Sequence, residues 1–207
     1  MMAFGLAGAH RSGKTTLAKA ISETMGIPYV SSSLTAEFKD LGIDPVAPMS
    51  LRKRLEVQKM YLGLYASKVL GPGLRPFVTD RTPLDIAAYM LAETSMFADP
   101  SVDPDEIADF VSICLQMAVS QFASILVVPP LILYDAAEGK PPENRAYQLQ
   151  IDALVSGLAM RCVSKCGHIV GMDAAVTDHD RRLQYAVGMV QERLASLEKQ
   201  RAGTSLH

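Results

Sequence analysis

The chain has 207 residues, of which 49% are hydrophobic and 20% charged, proportions typical of one soluble globular domain rather than a disordered chain. The net charge of −2 and the pI of about 6.1 exclude a protein that coats nucleic acid through an overall positive charge. The longest apolar run, 123–133, is too short to cross a membrane and is interrupted by Pro129 and Pro130.

Apolar runs then alternate with amphipathic stretches along the chain, the pattern of a parallel sheet covered by helices. Strands are expected at Ala3–Ala7, 29–32, 77–79, 124–128 and 168–172. Helices are expected over Lys14–Met25, from Pro83, and over 144–165. Three further helices are expected to begin at an N-cap: one from Ser50 to the Gly71-Pro72-Gly73 stop, one from Asp103 to about 121, and one from Thr177. The sequence therefore predicts a single three-layer α/β/α domain over 1–207 with a five-stranded parallel sheet.

The turn after the first predicted strand carries the strongest motif in the chain. Gly8-Ala9-His10-Arg11-Ser12-Gly13-Lys14-Thr15 fits G-x-x-x-x-G-K-[ST], the phosphate-binding P-loop, and a helix follows it as the mechanism requires. Backbone N–H groups and the helix N-terminus would bind phosphate oxygens, Lys14 would reach the β- and γ-phosphates, and Thr15 would ligate Mg²⁺. The predicted nucleotide-binding residues are Gly8, His10, Arg11, Ser12, Gly13, Lys14, Thr15 and Thr16.

P-loops occur in kinases, GTPases and motor ATPases, and the rest of the sequence separates these classes. The chain has no N-K-x-D motif for reading guanine, which disfavours a GTPase. The nearest match to the acidic strand of a motor ATPase, 131–135, follows two prolines, and proline is poorly tolerated in a central strand. A small-molecule kinase survives this elimination.

A second polar segment, Asp80-Arg81-Thr82-Pro83-Leu84-Asp85, follows the third predicted strand, where ligands bind in open α/β sheets. There Asp80 can accept the proton of an acceptor hydroxyl or hold Mg²⁺ through water, and Arg81 can pair with a phosphate. The alternative is that Asp80 and Thr82 only cap the following helix, but a cap does not require the adjacent arginine.

The segments GAHRSGKTT, TDRTPLD and ENRAYQLQID resemble, in that order, the P-loop nucleoside and nucleotide kinases. The resemblance is closest to the ribosylnicotinamide-kinase-like branch and to related kinases of bacteriophages. It implies a P-loop NTPase fold, ATP as phosphoryl donor and Mg²⁺ as cofactor. It also implies that Asp80 and Arg81 form the acidic–arginine pair that serves the acceptor hydroxyl.

The same resemblance implies a lid, here about 129–149, that supplies arginine to the transferring phosphate. Only Arg145 is well placed for this role, with Lys140 as a second cation, whereas lids of the family often carry two or more arginines. Alternatively, Arg145 is a first-turn residue that bonds Glu143.

Some phage members of this group are similar to 5-hydroxymethyluracil DNA kinases, so modified DNA is an alternative acceptor to a free nucleoside or nucleotide. Such an enzyme needs a flipped base and a surface that holds the flanking phosphates. The helix after Ser50 offers a cation cluster for this purpose, consisting of Arg52, Lys53, Arg54 and Lys59. The same cluster is also typical of a solvated helix face, and the acidic pI weighs against DNA.

The acceptor pocket is expected between the second strand, the helix after Ser50 and the Asp80 segment. Its candidate residues are Ser32, Glu37, Arg52, Arg54 and Asp85. A second hypothesis is a regulatory module that senses nucleotide with little turnover, but the Asp80–Arg81 pair and the proline-rich lid favour an enzyme. The sequence leaves open the acceptor, the choice of ATP or GTP, and the oligomeric state, a homodimer included; 171–175 is a candidate for the base-side loop.

The predicted location is the cytoplasm. Three cysteines, an odd number, favour a reducing compartment. No basic stretch precedes the first apolar residues, so we expect no signal peptide and no membrane partner. For a phage-encoded protein this location would be the host cytoplasm.

Overall fold

The computed structural model of the protein describes residues 3–44, 47–71, 76–96, 99–131, 144–163 and 168–204. Within these residues five strands form one sheet in the order β2-β3-β1-β4-β5, and all neighbouring strands run parallel. The strands are β1 (Ala3–Ala7), β2 (Tyr29–Val30), β3 (Phe77–Thr79), β4 (Phe122–Val127) and β5 (Ile169–Gly171). The predicted α/β fold with a five-stranded parallel sheet is confirmed.

The described helices lie close to their predicted positions. They are α1 (Lys14–Met25), α2 (Thr35–Asp40), α3 (Leu51–Lys68), α4 (Pro83–Met96), α5 (Pro104–Gln121), α6 (Arg145–Val163) and α7 (His179–Thr204). Ser50 and Asp103 cap α3 and α5 as predicted, because their side chains accept hydrogen bonds from first-turn amides. The prediction is wrong in two details: it lacks α2, and Asp178 rather than Thr177 accepts the hydrogen bond from a first-turn amide of α7, at 2.9 Å.

Alternate residues of the central strand face two separate hydrophobic cores, which is why helices cover both faces of the sheet. Phe4 and Leu6 of β1 belong to a core completed by α1 and α7, with Ile21 and Val190 among its buried members. Ala7 belongs to the opposite core, which α3, α4, α5 and α6 complete. Both cores hold β1 in the centre of the molecule.

The order of the strands decides where a ligand can bind. The chain passes from β1 to the outer strand β2, returns to β3 beside β1, and then crosses to β4 on the other side of β1. Ligands of open α/β sheets bind outside the carboxyl ends of the strands at such a reversal. Here this edge carries the loop 8–13 after β1, Asp80 after β3 and Val128 after β4.

Candidate active site

The loop between β1 and α1 is a tight turn that needs glycine at both fixed positions of its motif. Gly8 and Gly13 have φ angles of +149° and +86°, which glycine adopts without steric cost. A Cβ on Gly8 would also lie 2.3 Å from the carbonyl oxygen of Val128. Arg11 has a φ of 59°, and strained backbone of this kind concentrates at binding sites.

The N-terminus of α1 is suited to an anion. Gly13 caps the helix without a side-chain hydrogen bond, and the first turn contains no acidic residue. Lys14, Thr15 and Thr16 form the start of this turn, and Thr16 is exposed. Because the first amides of a helix lack intrahelical acceptors and carry partial positive charge, this position fits a phosphate group.

Lys14 folds back over the loop that precedes it. Its ammonium group donates hydrogen bonds to the carbonyl oxygens of Gly8 and Ala9 at 2.7 and 2.6 Å, and it lies 4.0 Å from the carboxylate of Asp85. Burial lowers the pKa of Lys14, and Asp85 opposes that shift. The lysine is thus held by the loop itself, at the side where phosphate oxygens would bind.

Asp80 joins the phosphate-binding loop to the strand beside it. Its carboxylate accepts hydrogen bonds from the hydroxyls of Thr15 at 2.5 Å, Tyr29 at 2.8 Å and Ser32 at 2.7 Å, and from the Ser32 amide at 3.2 Å. Burial alone would raise the pKa of Asp80, but these hydrogen bonds outweigh burial and the pKa is lowered. Asp80 is therefore an ionised carboxylate beside Thr15.

The oxygens of Thr15 and Asp80 form a donor set that fits Mg²⁺. The two side chains come from different elements, α1 and the residue after β3, and meet at hydrogen-bond distance. Mg²⁺ prefers oxygen ligands and is commonly held by one or two protein side chains together with substrate phosphates. Both residues predicted as metal ligands are thus close enough to share one ion.

Two side chains that the sequence analysis missed bind the loop from outside. The Gln148 amide nitrogen of α6 donates to the carbonyl of His10 at 2.9 Å, and the Arg182 guanidinium of α7 donates to the carbonyl of Ser12 at 2.9 Å. Arg182 precedes the buried Ala186 by one helical turn, and this spacing is a signal in the sequence that the arginine faces the core.

Asp85 has a different position from the acceptor pocket predicted for it. Its carboxylate is buried under the loop, where it accepts hydrogen bonds from the amide of Gly8 at 2.9 Å and from the amide and hydroxyl of Thr82, both at 2.8 Å. Burial raises the pKa of this group, while the nearby cations Lys14 and Arg81 pull it down. The first turn of α4 aims Asp85 at β1, so it supports the loop instead of lining the pocket.

Arg81 lies among tyrosines. Its guanidinium donates to the hydroxyl of Tyr61 at 3.0 Å and lies 5.4 and 5.8 Å from the ring centres of Tyr61 and Tyr89. The hydroxyl of Tyr65 donates to the backbone carbonyl of Arg81 at 2.6 Å. These contacts fix the arginine in an aromatic surrounding next to the phosphate-binding loop.

His10 extends the aromatic group to the phosphate-binding loop. Its Nδ1 lies 3.4 Å from the hydroxyl of Tyr89, and its ring centre lies 5.6 Å from that of Tyr147. Burial, followed by the positive charges of Lys14 and Arg11, lowers the pKa of His10. The lowered pKa favours the neutral form of the histidine at pH 7.

The remaining predicted acceptor residues are distributed unequally. Ser32 lies in the site, bonded to Asp80 and accepting at its carbonyl from the Tyr61 hydroxyl at 2.7 Å. Glu37 lies on α2 and forms an ion pair with Lys68 at 2.8 Å. Arg54 is mostly buried, 3.6 Å from the carboxylate of Glu93. Ser32 is thus the member of this group with a direct contact to Asp80.

The predicted cation cluster on α3 is largely neutralised by acidic side chains. Arg52 and Lys59 both pair with Glu106 of α5, at 2.6 and 2.7 Å. Lys53 pairs with Glu56 at 3.3 Å. Hydrogen bonds from Lys59 and Arg52 lower the pKa of Glu106, which therefore stays ionised. Such a surface offers little net positive charge to a DNA backbone.

Arg145 is the first residue of α6, and its side chain is exposed. The greater part of the predicted lid, 132–143, lies outside the described residues, and with it Lys140 and Glu143. The catalytic role predicted for Arg145 therefore stays a prediction.

Comparison with solved structures shows the class of fold. No protein-family model matches the chain, and no curated protein sequence does. Solved structures do match: deoxyadenosine kinase from M. mycoides with products bound has a TM-score of 0.62 at 14% identity, with 95% of this chain and 100% of that chain covered. The chain has the fold of the P-loop nucleoside and nucleotide kinases.

Two further structures agree with this fold. Thymidylate kinase from Candida albicans gives a TM-score of 0.63 at 15% identity over 92% of this chain and 91% of that chain. The NadR protein in complex with NR gives a TM-score of 0.62 at 17% identity over 93% of this chain and 51% of that chain.

Among the helices that the structure describes, none has the length and apolar character needed to cross a membrane.

Proposed function

We propose that this protein is a kinase that transfers the γ-phosphate of ATP to a hydroxyl group of a nucleoside or nucleotide. The observation that carries the proposal is the 2.5 Å contact between Thr15, in the first turn of α1, and Asp80, at the end of β3. It unites a phosphate-binding helix terminus, a pair of Mg²⁺ ligands and a carboxylate that can meet an acceptor hydroxyl. The structural similarity to several nucleoside and nucleotide kinases supports it.

The donor side is served by the loop 8–13 and Lys14. Backbone amides and the lysine would neutralise the phosphates of ATP and orient its terminal phosphoryl group. Bound Mg²⁺ would supply further neutralisation of the negative charge that develops on ADP, the leaving group. Thr15 and Asp80 would hold this ion, in line with their shared hydrogen bond.

The acceptor side is served by Asp80 and Arg81. Each oxygen of Asp80 already accepts two hydrogen bonds, so an acceptor hydroxyl must displace one of the donors. We expect Thr15 to be displaced, because its hydroxyl would then bind Mg²⁺. Asp80 would orient the hydroxyl and take its proton as the new oxygen–phosphorus bond forms. Because its pKa is low, Asp80 is a weak base, which suits late proton transfer in a loose transition state.

The aromatic surrounding of Arg81 supports an acceptor with a flat ring. Tyr61, Tyr89 and Tyr147 supply faces and edges near the reacting edge of the sheet, and aromatic rings stack favourably on bases. Modified DNA is a weaker candidate, because Glu106 pairs with two cations of the α3 cluster.

The test is transfer of label from γ-labelled ATP with Mg²⁺ to a panel of acceptors. The panel holds nucleosides, nucleoside monophosphates, ribosylnicotinamide, and duplex DNA with or without 5-hydroxymethyluracil. We expect label in a free nucleoside or nucleotide, reduced by about 10²–10³-fold or more in Lys14→Ala, whereas Lys199→Ala, an exposed lysine of α7, stays active.

Other outcomes separate the alternatives. Label in the modified duplex alone would identify a DNA-base kinase. Tight ATP binding without transfer to any acceptor would favour a nucleotide-sensing module. Full activity of Lys14→Ala would overturn the proposed function.

A further inference from the structure

We propose that Gln148 and Arg182 are positioning residues for the donor phosphates: by binding loop carbonyls from outside, they turn the following amides inward. The inference rests on the proposed function, because it concerns the same phosphate-binding loop. Neither residue belongs to the P-loop motif, and each comes from a helix near the C-terminal end of the chain. Both residues contact the backbone of the loop, and we expect no direct contact with the ligand.

The argument follows from the planarity of the peptide bond. In a trans peptide the C=O of one residue and the N–H of the next point in opposite directions. Gln148 holds the carbonyl of His10, and Arg182 holds the carbonyl of Ser12, both at 2.9 Å. The N–H groups of the next residues, Arg11 and Gly13, are consequently directed away from these helices.

A third side chain, that of Asp85, also holds the backbone of the loop. Asp85 accepts from the amide of Gly8 at 2.9 Å, which fixes the peptide between residues 7 and 8. Gln148 and Arg182 fix the peptides 10–11 and 12–13. Three separate peptides of the turn are thus held by side chains of α4, α6 and α7. The N–H groups that follow the two bound carbonyls, those of Arg11 and Gly13, point to the opposite side, and successive amides bind phosphate in other turns.

Arg182 adds charge as well as direction. It is 3% exposed and donates to three backbone carbonyls, those of Ser12, Pro129 and Val176, at 2.9, 3.0 and 2.8 Å. In the described part of the chain, its hydrogen-bond partners are these three carbonyl oxygens, and none of them is a carboxylate. Its positive charge therefore adds to the potential at the loop, since carbonyl dipoles do not cancel a full charge.

Arg182 also connects three segments around the donor site. Ser12 belongs to the phosphate-binding loop, Pro129 follows β4 at the start of the predicted lid, and Val176 precedes α7. A guanidinium group can hold three carbonyls at once because its five N–H groups form a rigid planar fork. Lysine cannot reproduce this geometry, although it keeps the charge.

The experiment measures binding of inorganic tripolyphosphate and of ATP to the full chain by calorimetry. Tripolyphosphate has no base, so it reports on the loop alone. The variants are Gln148→Met, Arg182→Met and Arg182→Lys. The matched control is Arg193→Met, because Arg193 also lies on α7 and donates to a backbone carbonyl, that of Ala123 at 2.9 Å, away from the loop.

We expect Gln148→Met and Arg182→Met to weaken both ligands about tenfold or more, since each loses the orientation of an amide that binds a charged oxygen. Arg182→Lys should fall between wild type and Arg182→Met, and Arg193→Met should bind as wild type does. The losses for ATP and tripolyphosphate should agree, because the two ligands share the triphosphate chain.

A merely structural role predicts a different result. Variants that lower the thermal unfolding temperature without ligand but bind tripolyphosphate with unchanged affinity would overturn the inference. So would failure of all three variants to fold while Arg193→Met folds, because the two residues would then be structural. If the wild-type chain binds neither ATP nor tripolyphosphate, the proposed function falls as well.

Discussion

Two regions of the molecule carry several cations: the edge of the sheet with the loop 8–13, Lys14 and Asp80, which we call the phosphate-binding edge, and the surface of α3. The cations of the two regions have different neighbours. At the edge, Lys14 donates hydrogen bonds to carbonyl oxygens of its own loop, and its ammonium group lies 4.0 Å from the carboxylate of Asp85. On α3, Arg52 and Lys59 lie 2.6 and 2.7 Å from one carboxylate, that of Glu106. Basic residues that look alike in the sequence therefore have different partners in the folded protein: carbonyl oxygens at the edge and a carboxylate on α3.

This difference shows what makes a cluster of cations into an anion site. Oriented amides and positive charges that face carbonyls retain their attraction for a phosphate. Ion pairs at a surface satisfy each other and leave little field for a ligand. The number of basic residues on a helix is therefore a poor guide to nucleic-acid binding unless the acids opposite them are known.

The largest expected effect is at Asp80, the residue of the phosphate-binding edge that we propose meets the acceptor. Asp80→Asn keeps the shape but removes the charge that, in the proposed mechanism, accepts the acceptor proton and helps to hold Mg²⁺, so phosphoryl transfer should fall about 10²–10⁴-fold. Because the pKa of Asp80 is lowered from 3.8, wild-type activity should show no loss from its protonation between pH 5 and pH 8 on the usual scale of carboxyl titration.

Label transfer measured across this pH range tests the effect of Asp80→Asn. The control is Asp109→Asn, an exposed carboxylate of α5 that should remain fully active. Equal activity of wild type and Asp80→Asn would remove Asp80 from the mechanism and break the proposed link between β3 and the phosphate-binding loop.

An intermediate effect is expected at Asp85, the carboxylate that supports the phosphate-binding edge from below. Asp85→Ala leaves three buried donors of Gly8 and Thr82 without their acceptor and removes the charge near Lys14. Loss of one partner from such a buried arrangement costs about 3–5 kcal/mol. Urea unfolding should show this loss, compared with Glu198→Ala on the exposed face of α7 as a control. A loss no greater than in the control would mean that the loop does not depend on Asp85.

The smallest effect is expected at Glu106, which neutralises the α3 surface. Glu106→Gln should leave phosphoryl transfer unchanged and should raise affinity for duplex DNA a few-fold at low salt, because Arg52 and Lys59 lose their shared carboxylate. Fluorescence anisotropy with labelled DNA measures the change. Glu56→Gln, which releases only Lys53, should have less effect, and equal affinities of wild type and Glu106→Gln would contradict the comparison.

Glu106 also predicts a dependence of stability on pH. Its pKa is lowered in the folded protein by hydrogen bonds from Lys59 and Arg52. The stabilisation is therefore present above the ordinary pKa of 4.5 and is lost as the pH falls through the lower, folded-state value. Melting temperatures of wild type and Glu106→Gln should differ slightly at pH 7 and converge in acid.

Much of this protein could be predicted from the sequence because the signals are local. Strand and helix patterns gave the α/β class, since a buried parallel strand is apolar throughout and a covering helix has one apolar face. The loop motif is contiguous, so its glycines and Lys14 are recognisable without any contact to another element. Asp80 and Arg81 could be predicted for a related reason, because they directly follow a strand.

Only the tertiary structure decided which distant side chains complete or cancel these local features. Gln148 and Arg182 reach residues 138 and 170 positions away, Asp85 turns under the loop instead of lining the acceptor pocket, and Glu106 of α5 neutralises the cations of α3. Such contacts depend on how the helices cross over the sheet. The sequence by itself determined the phosphate-binding turn, and the packing of α4, α5, α6 and α7 decided which charges and amides remain available to a ligand.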